Sequence, residues 1–268
     1  MVSFPHCKIN LGLNILAKRP DGYHEIETCF YPIPWTDILE IIPSERFEFT
    51  SSGIAIPGKE EENLCIKAYQ LLQHDFNLGP VKIHLHKIIP MGAGLGGGSS
   101  DAAFTLRLLN SIFELNISEE TLKGYASQLG SDCSFFIQDS PQVGTGRGEL
   151  LNPVQFRLKG KFMVIIVPPI HVSTVEAYAG VRPAMNSKIM DIIASDNSSW
   201  RKFLKNDFEE SVFRNHPQLK AIKEKFYQHN AVYASMSGSG SAVYGIFEQE
   251  IQWPTSLEEG THWSGYLN

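Results

Sequence analysis

The sequence predicts an α+β fold, with strands and helices mixed without regular alternation, and three observations carry that expectation. A strongly alternating strand stands near the N-terminus. A glycine-rich loop at 92–98 joins a strand to a helix, and two apolar strands flank a second glycine-rich turn at 237–241. With 268 residues and 43% hydrophobic content, the chain can form one large or two modest domains with real cores.

In chain order, Ile9, Leu11, Leu13 and Ile15 alternate with Asn10, Gly12 and Asn14, which is the period of a strand, and Pro20-Asp21-Gly22 closes it with a turn. Lys8 falls in phase with Asn10 and Gly12, so the pattern alone makes it a solvated charge on an open sheet face. Short strands are expected over 37–42 and 46–50, then a helix over 63–76. Val81, Ile83 and Leu85 alternate with Lys82, His84 and His86 in the strand that enters the glycine loop. Beyond the loop, Ala102, Ala103, Leu106, Leu109 and Phe113 recur at helical spacing, with Ser99 and Ser100 placed as N-cap and first-turn residues. Another helix follows Ser118, and Phe135, Phe136 and Ile137 read as a buried strand. Asn152, Pro153 and Gly160 mark a break, giving domains of 1–153 and 154–268. The second half restarts with an apolar strand over 162–167, then Pro168-Pro169 and helices, and ends in strands at 232–236 and 242–247.

Pro90, Met91, Gly92, Ala93, Gly94, Leu95, Gly96, Gly97, Gly98, Ser99 and Ser100 form the most informative stretch. Glycines let successive amides converge on an anion, and the start of a helix adds unpaired donors and the positive end of its dipole. A polyphosphate is the natural ligand. A P-loop would need a lysine where this chain has Ser99. Gly92, Gly94 and Gly97 spell the dinucleotide pattern G-x-G-x-x-G, but the acidic residues about twenty positions on, Glu119 and Glu120, open a helix rather than end a strand.

A formal net charge of −6 argues against nucleic acid as a partner. Cys7, Cys29, Cys65 and Cys133 form no C-x-x-C pair, which suits buried free thiols in a reducing cytoplasm, and the nine histidines make no H-x-x-x-H. No apolar run approaches membrane-spanning length. A soluble cytoplasmic protein without a dedicated metal site is expected.

Three separated segments resemble the signatures of the GHMP kinases: P-H-C-K-I-N-L-G-L from Pro5, the glycine loop, and M-S-G-S-G-S-A-V-Y-G from Met236. Further marks are D-G-Y-H from Asp21, G-S-D-C from Gly130 and V-S-T-V-E-A-Y from Val172. The resemblance implies a two-domain architecture with a ribosomal-protein-like N-terminal and a ferredoxin-like C-terminal domain. It also implies transfer of the γ-phosphoryl group of ATP to an alcohol, here on the cytidine diphosphate conjugate of methylerythritol, in the non-mevalonate route to isoprenoids. Cys7 and Ser134 depart from the family's usual alanine and proline.

On that resemblance Asp132 is the catalytic base and Lys8 the cation paired with it and with the substrate oxygen. ATP would be held by the glycine loop, with Asn63, Lys87, Ser237, Gly238, Ser239 and Gly240; Asn10, Tyr23, His24, Thr174 and Tyr178 would bind the acceptor. Two tyrosines suit the faces of a cytosine ring and a histidine its edge. Mg²⁺ would arrive with ATP as part of the co-substrate, with an oxygen from Ser99 or Ser100; no tightly bound cofactor, nucleic acid or membrane is implied, and the protein would be a monomer or homodimer.

Overall fold

The computed structural model describes residues 1–183, 188–195, 197–253 and 260–267. The strands are β1 (Val2–Ser3), β2 (His6–Lys18), β3 (His24–Thr36), β4 (Ile38–Pro43), β5 (Glu48–Gly53), β6 (Val81–Lys87), β7 (Gln142–Thr145), β8 (Leu150–Pro153), β9 (Phe162–Val167), β10 (Tyr233–Met236), β11 (Val243–Phe247) and β12 (Thr261–Tyr266). The helices are α1 (Leu64–Phe76), α2 (Gly97–Ile112), α3 (Glu119–Leu129), α4 (Thr174–Ala179), α5 (Ile189–Ile193), α6 (Trp200–Phe203), α7 (Glu209–Asn215) and α8 (Pro217–Gln228). Helices and strands are mixed as an α+β fold requires.

By proximity the chain divides into two units, each assembled from separated segments: 1–7, 34–91 and 96–139 in the first, and 8–33, 92–95 and 140–268 in the second. In the first, a sheet of order β1-β4-β6-β5 joins β5 to β6 in parallel and the other pairs antiparallel. Leu39, Ile41, Val81, Ile83 and Leu85 fill its buried face. Helices α1, α2 and α3 pack together, with α2 against β4. Asn63 caps α1 by accepting the Cys65 N–H at 2.9 Å, and Ser118 caps α3 by accepting that of Thr121 at 3.2 Å.

The second unit carries an antiparallel sheet of order β10-β11-β9-β12. Its core gathers Phe162, Val164 and Ile166 of β9 with Leu219, Ile222 and Phe226 of α8 and Leu13, Ile15 and Ile26. A further sheet runs β2-β3-β7-β8.

Three expectations are corrected. Residues 133–137 form a 3₁₀ turn, not a strand, because a short apolar run does not by itself distinguish a buried strand from a buried helical turn. Helix α2 begins at Gly97 with Gly96 as its N-cap, so Ser99 and Ser100 lie inside the first turn. Lys8 is buried, because β2 is covered on both faces from Cys7 to Ile15 and its alternation marks no solvent side. All four cysteines are buried and outside disulfides, and no described helix is long and apolar enough to cross a membrane.

Candidate active site

The glycine loop is shaped by where its carbonyls go. The Ala93 carbonyl accepts the Ala242 N–H at 3.0 Å, and the Leu95 carbonyl accepts the Lys8 N–H at 2.9 Å. Between them the Gly94 carbonyl accepts Ser237 Oγ at 2.8 Å and Lys8 Nζ at 3.0 Å. In a trans peptide the following N–H points opposite to the carbonyl, so tying these three inward turns the amides of Gly94, Leu95 and Gly96 the other way. Gly92, Gly94 and Gly96 hold φ of 67°, 79° and 70°, a region open to glycine. A Cβ on Gly94 would also stand 2.0 Å from the Ser237 carbonyl oxygen. The first turn of α2 then adds its own unpaired amides and the positive end of its dipole. At Gly98 a Cβ would meet nothing within 4 Å, so the helix start is open there.

A cavity of about 400 Å³ lies in the first unit and brings together Asn63, Lys87, Met91 and Gly98 of the expected nucleotide residues. Ile56, Pro57, Gly58, Lys59, Glu60 and Glu62 complete one wall. Sequence reasoning passed over that wall because it holds no apolar periodicity; its one signal is the Pro57-Gly58 turn ahead of the α1 cap.

At its floor Lys87 is held between two aspartates. Its ammonium donates to Asp37 Oδ2 and, at 2.8 Å, to Asp101 Oδ2, all three side chains being buried. Burial alone would lower the lysine's proton affinity, but the charges of Asp101 and Asp37 outweigh it and hold its pKa above the ordinary value. Burial likewise raises Asp101 well above the carboxylate range in spite of Lys87. Asp37 carries no motif, and Asp101, directly after Ser100 of the glycine stretch, lies one residue past the segment that the sequence singles out.

Lys8 anchors a second network. Its ammonium donates to Asn10 Oδ1 at 2.6 Å and lies 5.3 Å from the Phe30 ring centre. Asn10 Nδ2 donates to Thr28 Oγ1 at 3.0 Å, and Thr28 Oγ1 to the Gly12 carbonyl at 2.6 Å. The Asn10 amide is thus engaged at both ends. Its backbone N–H donates to Ser237 Oγ and its carbonyl accepts the Tyr244 hydroxyl. The late turn therefore supports Gly94 and Asn10: a Cβ on Gly238 would lie 3.3 Å from Gly94 Cα and 3.4 Å from Asn10 Oδ1. Ser239 is half-buried in that turn and Gly240 has φ of 90°.

Asp132, half-buried, stands at the N-cap position of the turn Cys133–Ile137, yet its side chain makes no capping hydrogen bond there. The neighbouring Cys133 thiol is pushed up to about 12 by burial and carries no thiolate at neutral pH.

The aromatic marks fall into two contacts. His24 and Tyr178 stack, with ring centres 4.6 Å apart and planes 21° from parallel, and Phe208 meets Tyr178 edge-on at 4.8 Å. Burial and then Lys18 lower the His24 pKa, favouring the neutral ring. Tyr23 is exposed, its ring against the Arg147 guanidinium at 4.9 Å from the ring centre. Thr174 opens α4, exposed, next to Ser173, whose hydroxyl accepts the Glu176 N–H at 3.1 Å.

Residues 63–140 match the model of the GHMP kinases N terminal domain, and residues 188–252 that of the GHMP kinases C terminal domain. A 4-diphosphocytidyl-2-C-methyl-D-erythritol kinase of Cytophaga hutchinsonii is 52% identical over 263 residues, covering 97% of this chain and 96% of its own. One from Bacteroides thetaiotaomicron is 51% identical over 255 residues, covering 93% of each chain. The crystal structure of a 4-(cytidine 5'-diphospho)-2C-methyl-D-erythritol kinase superposes with a TM-score of 0.85 at 31% identity, covering 100% of this chain and 99% of that one. On sequence and on two-domain α+β architecture, the chain belongs to the GHMP kinases and is a phosphotransferase acting on an alcohol group.

Proposed function

We propose that the chain transfers the γ-phosphoryl group of ATP to the 2-hydroxyl of 4-diphosphocytidyl-2-C-methyl-D-erythritol, a step toward isoprenoid precursors. The observation that carries the phosphate chemistry is the inward tie of the Ala93, Gly94 and Leu95 carbonyls, which turns consecutive amides outward. The acceptor's identity is supported by full-length likeness to kinases bearing that name. Residues 1–153 and 154–268 are read as the two GHMP domains, since one family model matches on each side of that boundary.

Phosphoryl transfer leaves little covalent work to the protein, so its residues position groups and balance charge. The Asp132 carboxylate accepts the proton of the acceptor hydroxyl as the bond to phosphorus forms. The Lys8 ammonium, held by Asn10 Oδ1 and the Gly94 carbonyl, balances charge developing on the transferring group. Loop amides take the ATP phosphates, and the 400 Å³ cavity with Asn63 and Lys87 takes the nucleoside. Mg²⁺ bound to ATP would neutralise charge on its phosphates, and Ser99 and Ser100, in the first turn of α2, would be the side chains to offer it an oxygen, that of Ser100 having no hydrogen-bond partner among the described residues. Ser237, Gly238, Ser239 and Gly240 act on ATP through the loop they support. Tyr178 and His24, with Tyr23 and Thr174, receive the cytidine end.

The test offers ATP and a panel of alcohols: the cytidine conjugate, homoserine, mevalonate and galactose. Phosphorylation of the conjugate alone is expected. Turnover of another acceptor with the conjugate untouched would reject the assignment.

A further inference from the structure

In the Asp37–Lys87–Asp101 network, Lys87 lines the nucleoside cavity, while the two buried aspartates that hold it have no task in the transfer reaction. Asp37 Oδ1 accepts the N–H groups of Ile88 and Ile89 at 2.6 and 2.8 Å, which are the first two residues after β6 on the way into the loop. Asp37 Oδ2 accepts from Lys87, the last residue of β6. The same ammonium reaches Asp101, one turn into α2, where the chain leaves the loop. A Cβ on Gly97 would stand 3.0 Å from Lys87 Nζ and 3.1 Å from the Ile89 side chain. The lysine head therefore sits directly under the first residue of the helix.

We propose that Asp37, Lys87 and Asp101 are positioning residues for phosphoryl transfer, clamping the incoming and outgoing shoulders of the glycine loop so that its amides are set before ATP arrives. The proposal rests on the reading of residues 90–100 as the ATP phosphate site. Stability alone is a poor reason for this arrangement. Desolvating one ammonium and two carboxylates costs as much as the pairing returns, and well-packed apolar side chains commonly do as well. What the triad adds is direction. A carboxylate fixed by two backbone amides and a lysine leaves the chain entering the loop one orientation, and Lys87 transmits that orientation to α2. A nucleotide site preset in this way avoids reordering its donors during transfer.

The experiment compares Asp37→Asn, Asp101→Asn and Gly98→Val. It measures steady-state kinetics in ATP, calorimetric binding of the cytidine conjugate without ATP, and thermal melting. Asp37→Asn removes the acceptor facing Lys87 and should lower kcat/KM for ATP about tenfold to a hundredfold, the scale of a small misplacement of reacting groups, with conjugate affinity unchanged. Asp101→Asn keeps the Lys87–Asp37 pair and should show a smaller loss in the same direction, which serves if Asp37→Asn does not fold. Gly98→Val, whose side chain enters open space at the helix start, should abolish ATP use without lowering the melting temperature. Unchanged ATP kinetics in both folded aspartate variants, with Gly98→Val inactive, would overturn the clamp alone. Parallel losses of ATP and conjugate binding would reduce the triad to a structural role and overturn it too. If Gly98→Val also uses ATP normally, the phosphate-site reading falls and the clamp with it.

Discussion

Lys8 Nζ donates a 2.6 Å hydrogen bond to Asn10 Oδ1, two residues along the same strand, although both side chains are almost wholly buried. Neighbours two residues apart on a strand share a face and can meet in this way, and here Phe30 and the Gly94 carbonyl also contact the ammonium. A buried ammonium with fixed partners is a preset charge. Lys8→Met, which keeps the stem but removes the charge, should lower kcat by about a hundredfold to a thousandfold, as loss of a preset charge-stabilising donor does. Unchanged kcat in the folded variant would remove Lys8 from the chemistry.

Asp132 should govern turnover rather than binding. Replacing it with asparagine keeps the size of the side chain and removes the proton acceptor. The expected fall in kcat is about 10² to 10⁴, the usual range for a general base, with little change in KM for either substrate. A kcat within a few-fold of the parent protein would assign Asp132 to structure.

Gly94 should be intolerant of any side chain. Its φ of 79° and the 2.0 Å approach of a Cβ to the Ser237 carbonyl oppose substitution independently. Gly94→Ala should lose about 1 to 3 kcal/mol from backbone strain alone, and more from the clash, read as a lower denaturation midpoint. A midpoint equal to that of the parent would mean that the loop and the late turn do not touch in this way.

Asp139 should shape acid stability. Burial raises its pKa, but hydrogen bonds from His6 and Arg107 and then their charges outweigh that and bring it from 3.8 to about 2. Because the folded pKa is the lower one, this stabilisation is present above pH 3.8 and fades as pH falls through about 2. Asp139→Asn should therefore melt below the parent protein at neutral pH, and the two should converge in strong acid. A pH-independent difference would show that the His6 and Arg107 contacts do not hold the carboxylate ionised.

Local pattern made much of the molecule legible. The alternation around Ile83 marks β6, one face of which meets a core, and the spacing of Ala103, Leu106 and Leu109 marks α2, although that helix is buried all round from Ser100 to Leu106. Strand β3 was not legible: Pro32 and Pro34 interrupt its pattern, yet it runs unbroken from His24 to Thr36. At the site, the glycines and Lys8 stood out by type and spacing. Asp37, Asp101 and Thr28 did not, since their roles come from partners 50, 14 and 18 residues away in sequence. The burial of Lys8 escaped for the same reason, because Phe30 and Gly94 that cover it lie on other segments.

We propose that the stacked pair Tyr178 and His24 receives the base and so commits this kinase to a cytidine-bearing acceptor. The most direct test compares kcat/KM for the cytidine diphosphate conjugate of methylerythritol with that for methylerythritol phosphate, in the parent protein and in Tyr178→Ala. Losing the base forfeits stacking of about 1 to 3 kcal/mol per aromatic contact, so the parent should prefer the conjugate by at least about tenfold, and Tyr178→Ala should erase most of that preference. Equal kcat/KM for the two acceptors in the parent protein would contradict the account.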